Sequence, residues 1–157
     1  MCIANYHFAY SKSRGSFLAQ RLWLWHPERV VGLAMLNAAY SPPPGPFDLE
    51  QVLVLTKQAF GHGLYYYWRL FASDEGPAIL NAHLESLFTA LHAKKLDHMK
   101  DTFTTEDGMK NYLLADTKQE PADYATPKMQ EDFVKQFERD GFAAPLQWYR
   151  AVTENVH

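Results

Sequence analysis

A proline-rich stretch divides this sequence into two unlike parts. Residues 41–46 read Ser-Pro-Pro-Pro-Gly-Pro, and such a run can continue neither a helix nor the interior of a sheet. Before it lies the run Val30–Leu36, which contains no polar residue and is typical of a buried strand in a parallel sheet. After it, apolar residues recur at helical spacing. The chain is therefore expected to leave a sheet layer here and enter a helical one.

Helical patterns occupy most of the remaining sequence. One begins at Gly15 and ends at His26-Pro27, because the residue before a proline is disfavoured in a helix. Further helices are predicted over about 48–60, 64–71, 77–91, 106–115 and 127–140, and from Pro145 onwards. A lone strand would leave its backbone groups unpaired. Either the first dozen residues supply a second strand, or the rest of the sheet lies outside the chain, and the weak strand pattern of residues 6–10 favours the latter.

Composition excludes several classes of protein. Apolar residues make up 47% of the chain and charged residues 21%, which favours a folded core over disorder. The net charge of −3 lacks the basic excess that nucleic acids or anionic membranes require. The single cysteine, Cys2, rules out a disulfide framework. Neither a leader pattern nor an apolar run long enough to span a membrane occurs, so a soluble, cytoplasmic protein is expected.

Histidines and serines offer few candidates for chemistry. His83, His92 and His98 are nine and six residues apart, and these spacings match no compact metal site, so no metal is expected. The segment Ser11-Lys12-Ser13-Arg14-Gly15 has the small-x-Ser-x-Gly form of a nucleophile elbow. An elbow follows a strong strand, however, and a polar residue at a helix start gives the same pattern. A Ser-dependent esterase that uses Ser13 remains an alternative.

Aromatic residues are unusually frequent, at 15% of the chain. Tyr65, Tyr66, Tyr67 and Trp68 occupy four successive positions of a predicted helix, so their rings would surround it. A second aromatic pair, Trp-Tyr at 148–149, lies in the last predicted helix. A buried tyrosine usually finds a hydrogen-bond partner for its hydroxyl, which would make it a donor towards a ligand oxygen. The alternative is that these rings only pack the core.

The order of these segments resembles the soluble epoxide hydrolase family of the α/β-hydrolase superfamily. Five pieces carry the resemblance: GSFLAQ at 15–20, HPERV at 26–30, LN at 36–37, YWRLF at 67–71 and GFAAPLQWYR at 141–150. In that family the chain leaves the sheet through a proline-rich link and forms a helical cap over the active site. The resemblance implies a mainly α chain: a partial α/β-hydrolase core at 15–40, a linker at 41–47 and a cap at 48–157, after an atypical segment at 1–14.

The resemblance also implies a chemistry. In the family an aspartate attacks an epoxide, two cap tyrosines donate hydrogen bonds to the epoxide oxygen, and a histidine–acid pair activates water. Carried over, Tyr67 and Tyr149 become the donors, while Trp68, Phe71 and Trp148 line an apolar pocket for a small apolar epoxide. No cofactor is implied. Haloalkane dehalogenases share the fold but bind halide through ring N–H groups, so the paired tyrosines favour the epoxide reaction.

Departures from the family pattern are equally specific. Where the family has its nucleophilic aspartate, this sequence has Ser13, and the family's earlier strands, its acid and its water-activating histidine have no counterpart. The isolated chain is therefore predicted to be inactive. A non-catalytic helical binding or dimerisation module, which self-associates through exposed apolar surface, is the alternative.

Overall fold

The computed structural model describes residues 7–12, 14–36, 39–40 and 45–156. The chain forms two compact units, Met1–Gly45 and Pro46–His157, called unit 1 and unit 2 below and described separately. Unit 1 contains strand β1 (His7–Lys12), helix α1 (Arg14–Trp25), a 3₁₀ turn (Pro27–Arg29) and strand β2 (Val30–Leu36).

The two strands of unit 1 pair in parallel. The register runs from Phe8 opposite Gly32 to Lys12 opposite Leu36, with an irregularity after His7. Helix α1 makes the crossover between them and packs against both strands. The structure thus adds a strand, β1, that the sequence pattern did not favour. Its pairing supplies the backbone partners that a single apolar strand would lack.

The prediction that β2 is a buried strand needs correction. Among its seven residues only Val30 is buried, and Val31 is 54% exposed. Apolar residues on both faces of a strand are buried only where a layer covers each face. Within the described part of unit 1, α1 is the only helix longer than a single turn. The strand therefore lies where it was predicted, without the two-sided cover that its sequence suits.

Helix α1 places polar residues on its sheet side. Ser16 and Gln20 are buried, and the Gln20 side-chain amide donates to the Ala39 carbonyl at 3.0 Å. The apolar residues Leu18 and Trp25 are 68% and 64% exposed. This pattern reverses the usual arrangement, in which a helix turns its apolar face to the protein interior.

Unit 2 consists of helices and the turns and loops that join them. They are α2 (Leu49–Phe60), α3 (Tyr67–Ala72), α4 (Gly76–Ala82), α5 (Leu84–Leu91), α6 (Leu96–Phe103), α7 (Gly108–Leu114), α8 (Pro127–Asp140) and α9 (Ala143–Thr153). The Asp48 carboxylate accepts from the backbone N–H groups of Glu50 and Gln51 and caps α2. Thr126 caps α8 in the same way. Both helix starts agree with the sequence prediction.

The core of unit 2 forms where α3, α4, α5, α7 and α9 meet. The largest apolar side chains that are fully buried in unit 2 have an exposure of 1% or less: Leu80, Leu87, Phe88, Met109 and Leu113. Three of these belong to the apolar stripe that predicted a single helix over 77–91. The structure instead divides that stretch at His83, whose backbone leaves the helical region at φ −131° and ψ 45°. In the part of the chain that the structure describes, no helix has the length and apolar character needed to cross a membrane.

Candidate active site

Tyr149 lies at the centre of an aromatic cluster in unit 2. Its side chain projects from α9 and is 6% exposed. Trp68 and Phe71, both on α3, each pack edge-to-face against it with ring centroids 5.0 Å away. Tyr67 lies 6.1 Å away in the same geometry. Such perpendicular contacts place the positive edge of one ring against the negative face of another, so α3 and α9 hold these rings in defined orientations.

A further ring joins the cluster from α6. Phe103 packs against Tyr67 with a centroid distance of 5.3 Å, and Phe71 packs against Tyr67 at the same distance. We call Tyr67, Trp68, Phe71, Phe103 and Tyr149 the tyrosine cluster. Phe103 was not among the predicted site residues, because it is a single ring outside the aromatic runs and outside the segments that resemble the family.

The other predicted site residues have different positions. Trp148 is half-buried and packs against the core, next to Tyr149 in sequence. Tyr65 and Tyr66 lie in a turn before α3 rather than in the helix, so the four consecutive aromatic residues do not form one helical surface. Ser13 lies outside the described residues.

The indole N–H of Trp68 is a notable polar group in this cluster. Its Nε1 atom is fully buried and has no hydrogen-bond partner among the described residues. A buried donor without an acceptor is uncommon in folded proteins. The ring that carries it also contacts Phe47, at a centroid distance of 5.5 Å, so this indole packs against aromatic rings of both Phe47 and Tyr149.

Each tyrosine of the cluster has an arginine close behind it on its helix, and carboxylates anchor both arginines: Arg69 lies two residues after Tyr67, and Arg150 directly follows Tyr149. Arg69 donates to both oxygens of Glu50, at 3.0 and 2.6 Å, and to Glu106 at 2.5 Å. These hydrogen bonds, with the charges of both glutamates, raise the pKa of Arg69 above its usual value. Arg150 donates to Asp74 at 2.5 Å. The first contacts tie α3 to α2 and to the turn before α7, and the last ties α9 to the loop after α3.

In the described part of the chain, no three side chains of His, Cys, Asp or Glu come together in a way that could hold a metal ion. The tyrosine cluster combines apolar rings with phenol and indole groups. Phenol hydroxyls can donate hydrogen bonds. This combination has the chemistry to contact an apolar ligand that carries a hydrogen-bond acceptor.

Comparisons with known proteins point to one class. The chain is 27% identical over 146 residues to bifunctional epoxide hydrolase 2 of Sus scrofa, covering 90% of this chain and 24% of that protein. It is 27% identical over 150 residues to bifunctional epoxide hydrolase 2 of Rattus norvegicus, covering 88% and 24%. The chain therefore spans about a quarter of the length of these relatives. No model of a known protein family matches it.

A solved structure shows the same fold. Epoxide hydrolase A from Mycobacterium thermoresistibile matches with a TM-score of 0.60 and 21% identity, covering 92% of this chain and 45% of that one. The chain thus has the fold of part of that protein, which agrees with the predicted partial α/β-hydrolase fold with a helical cap. Its similarity to epoxide hydrolases confirms the resemblance drawn from its residues.

Proposed function

We propose that unit 2 is the substrate-covering cap of an epoxide-hydrolase-like protein of the cytoplasm, and that Tyr67 and Tyr149 donate hydrogen bonds to an epoxide oxygen. The observation that carries the proposal is their proximity: residues 82 positions apart in the chain have ring centroids 6.1 Å apart within one aromatic cluster. When a nucleophile attacks an epoxide carbon, the ring C–O bond breaks and negative charge collects on the oxygen. Two hydroxyl donors stabilise that charge and can supply its proton.

Apolar rings beside the two tyrosines support a small apolar substrate. Trp68 and Phe71 pack directly against Tyr149, and Trp148 directly precedes it in the chain. We propose that these three residues contact the hydrocarbon part of the epoxide, as the family resemblance implies. Burial of that part would contribute about 25 cal/mol for each Å² of apolar surface removed from water.

Ligand binding to the whole chain tests the tyrosine roles. We would compare styrene oxide with ethylbenzene, which has a similar shape and no oxygen, by ligand-observed NMR. Tyr67→Phe and Tyr149→Phe should each weaken styrene oxide binding about 3- to 10-fold, the loss expected for one hydrogen bond to a neutral acceptor, and leave ethylbenzene binding unchanged. Tyr124→Phe, which alters a tyrosine outside the cluster, is the control. Equal weakening of both ligands would contradict the proposal.

The chain itself is proposed to lack diol-forming activity. The residue at the family's nucleophile position is Ser13, and loss of a covalent nucleophile lowers a rate by several powers of ten. We expect purified chain, incubated with styrene oxide, to yield diol only at the uncatalysed rate. Diol formed faster than in buffer, and slowed by Tyr149→Phe, would contradict this expectation while supporting the tyrosine roles.

A dimerisation module is the second candidate function, and the exposed apolar side of α1 favours it. Leu18, Leu22 and Trp25 recur at helical spacing and are 68%, 41% and 64% exposed; exposed apolar patches of this kind mark interaction surfaces. Sedimentation velocity should show association that a Leu18→Glu/Leu22→Glu variant abolishes. The control is Leu114→Glu, at an exposed leucine of unit 2. A monomer at every concentration would exclude this function.

A further inference from the structure

A pair of residues joins the two ends of unit 2. The backbone N–H of Phe47 donates to the side-chain oxygen of Asn155, and the Asn155 side-chain nitrogen donates to the Phe47 carbonyl at 3.2 Å. The two residues are 108 positions apart. The Asn155 amide therefore pairs with both backbone polar groups of one residue, as a neighbouring strand would.

The type of residue at position 155 fits a role for its side chain. Asn155 has φ 58° and lies just beyond α9, where Val156 N–H donates to the Ala151 carbonyl at 2.8 Å and Asn155 N–H to the Val152 carbonyl at 3.2 Å. These two bonds define the Schellman motif, whose left-handed position is usually glycine. Glycine would adopt this conformation more easily but would have no amide. Asparagine both ends the helix and binds Phe47.

Phe47 connects this pair to the tyrosine cluster. Its ring packs on Trp68 at a centroid distance of 5.5 Å and a tilt of 32°. Trp68 in turn packs edge-to-face on Tyr149 at 5.0 Å. Since Tyr149 lies on α9, six residues before Asn155, this helix contacts Trp68 directly through Tyr149 and indirectly through Asn155 and Phe47. Trp68 is thereby held from two sides.

We propose that Asn155 is a positioning residue for the tyrosine cluster. By binding both backbone polar groups of Phe47 it fixes the Phe47 ring against Trp68, and so fixes the Trp68 ring against Tyr149. The inference rests on the proposed function only where it treats the cluster as a ligand site. The contacts themselves can be tested without any ligand.

Two substitutions in the whole chain distinguish the role of the Asn155 side-chain amide from the role of its backbone conformation. Asn155→Gly keeps the left-handed residue and removes the side chain; Asn155→Asp keeps an acceptor for Phe47 N–H and removes the donor. Hydrogen exchange at Phe47 N–H, followed by NMR, should be about fivefold faster in Asn155→Gly, as expected for the loss of one ordinary hydrogen bond. Asn155→Asp should leave it protected. Wild-type exchange in Asn155→Gly would overturn the proposal.

Tryptophan fluorescence reports the effect on the cluster. Acrylamide should quench Trp68 more strongly in Asn155→Gly than in wild type, and the difference should vanish when Trp68→Phe is added to both. Phe47→Leu keeps the backbone pair and removes the ring, so it should raise Trp68 quenching as well. It also provides the test should Asn155→Gly fail to fold: unchanged Trp68 quenching in Phe47→Leu would overturn the proposal.

Styrene oxide binding then distinguishes positioning from the proposed function. Asn155→Gly should weaken binding about threefold while the thermal midpoint of the chain changes by only a few degrees, and Asn155→Asp should weaken it less. If the exchange and quenching changes occur but neither Tyr67→Phe nor Tyr149→Phe alters styrene oxide binding, the proposed function fails and the positioning role of Asn155 stands. Binding that is unchanged in Asn155→Gly, where the tyrosine variants do weaken it, would contradict the positioning role.

Discussion

The two units of this chain differ in which residues they bury. In unit 2, large apolar side chains such as Leu80, Leu87 and Phe88 are 1% exposed. In unit 1, Ser16 and Gln20 are buried while Leu18 and Trp25 face outwards. Unit 2 therefore has the core of a domain that can fold by itself, whereas unit 1 has the layering of an α/β protein without the burial that stabilises one.

Separate production of the two units tests this difference most directly. We expect residues 46–157 to keep their helical circular dichroism and to unfold in one cooperative thermal transition. Residues 1–45 should show no transition, because a two-stranded sheet with one helix is marginal in water. Gradual, non-cooperative unfolding of residues 46–157 would remove the distinction between the units.

Matched leucine truncations measure the same difference within the whole chain. Leu87→Ala, in the core of unit 2, should lower the free energy of unfolding by about 2–5 kcal/mol through lost burial and a cavity. Leu18→Ala, in unit 1, should change it by no more than about 0.5 kcal/mol because the side chain is already exposed. Urea unfolding followed by circular dichroism gives both values. If Leu18→Ala lowered the free energy of unfolding as much as Leu87→Ala, that would show that α1 is covered in solution.

A single hydrogen bond provides a smaller effect within unit 2. The Asn81 side-chain oxygen accepts from the Phe142 backbone N–H at 3.0 Å, next to Gly141 with its φ of 65°. Asn81→Ala should lower the free energy of unfolding, measured with urea, by about 1 kcal/mol. The reason is that the Phe142 N–H at the start of α9 loses its acceptor. Gln147→Ala, which removes an exposed side-chain bond within α9, should cost less. A larger loss of stability in Gln147→Ala than in Asn81→Ala would show that the connection before α9 is loosely held.

Acid should weaken unit 2 by a small amount through His98. Burial lowers the pKa of this imidazole, and the opposing charge of Asp101 is the weaker influence. The folded protein thus favours neutral His98, so its contribution to stability is fully present above the unfolded pKa of about 6.5 and is lost as pH falls towards the folded value. His98→Gln should reduce the decline in urea stability between pH 7 and pH 5. If stability declines equally in His98→Gln and in wild type, groups other than His98 cause the decline.

Local signals in the sequence predicted some elements of unit 2 well. Helix α8 begins at Pro127 after the Thr126 cap and ends before Gly141, as its residues indicate. Helix α6 was not predicted, because only three of its eight residues, Leu96, Met99 and Phe103, are apolar and they recur over barely two turns. Its buried residue Thr102, which is 3% exposed, is polar and adds nothing to that apolar pattern. Likewise, no glycine or proline marks the break at His83 in an apolar stripe that continues through it.

The candidate site depended on a different kind of information. The contact between Tyr67 and Tyr149 joins α3 to α9 across most of unit 2, and no local pattern encodes a contact at that separation. Family resemblance suggested both tyrosines together. Phe47 and Phe103 were missed because each is a single ring without a motif, and only the packing of α3 brings them to Trp68 and Tyr67.

The pairing of Phe47 with Asn155 has a consequence for how such a unit could be inherited. A stretch of chain whose two ends lie side by side can be inserted into a loop of a host protein without forcing the host's own elements apart. Unit 2 could then be gained, lost or exchanged in evolution as one piece, with Phe47 and Asn155 paired where its two ends join the host chain.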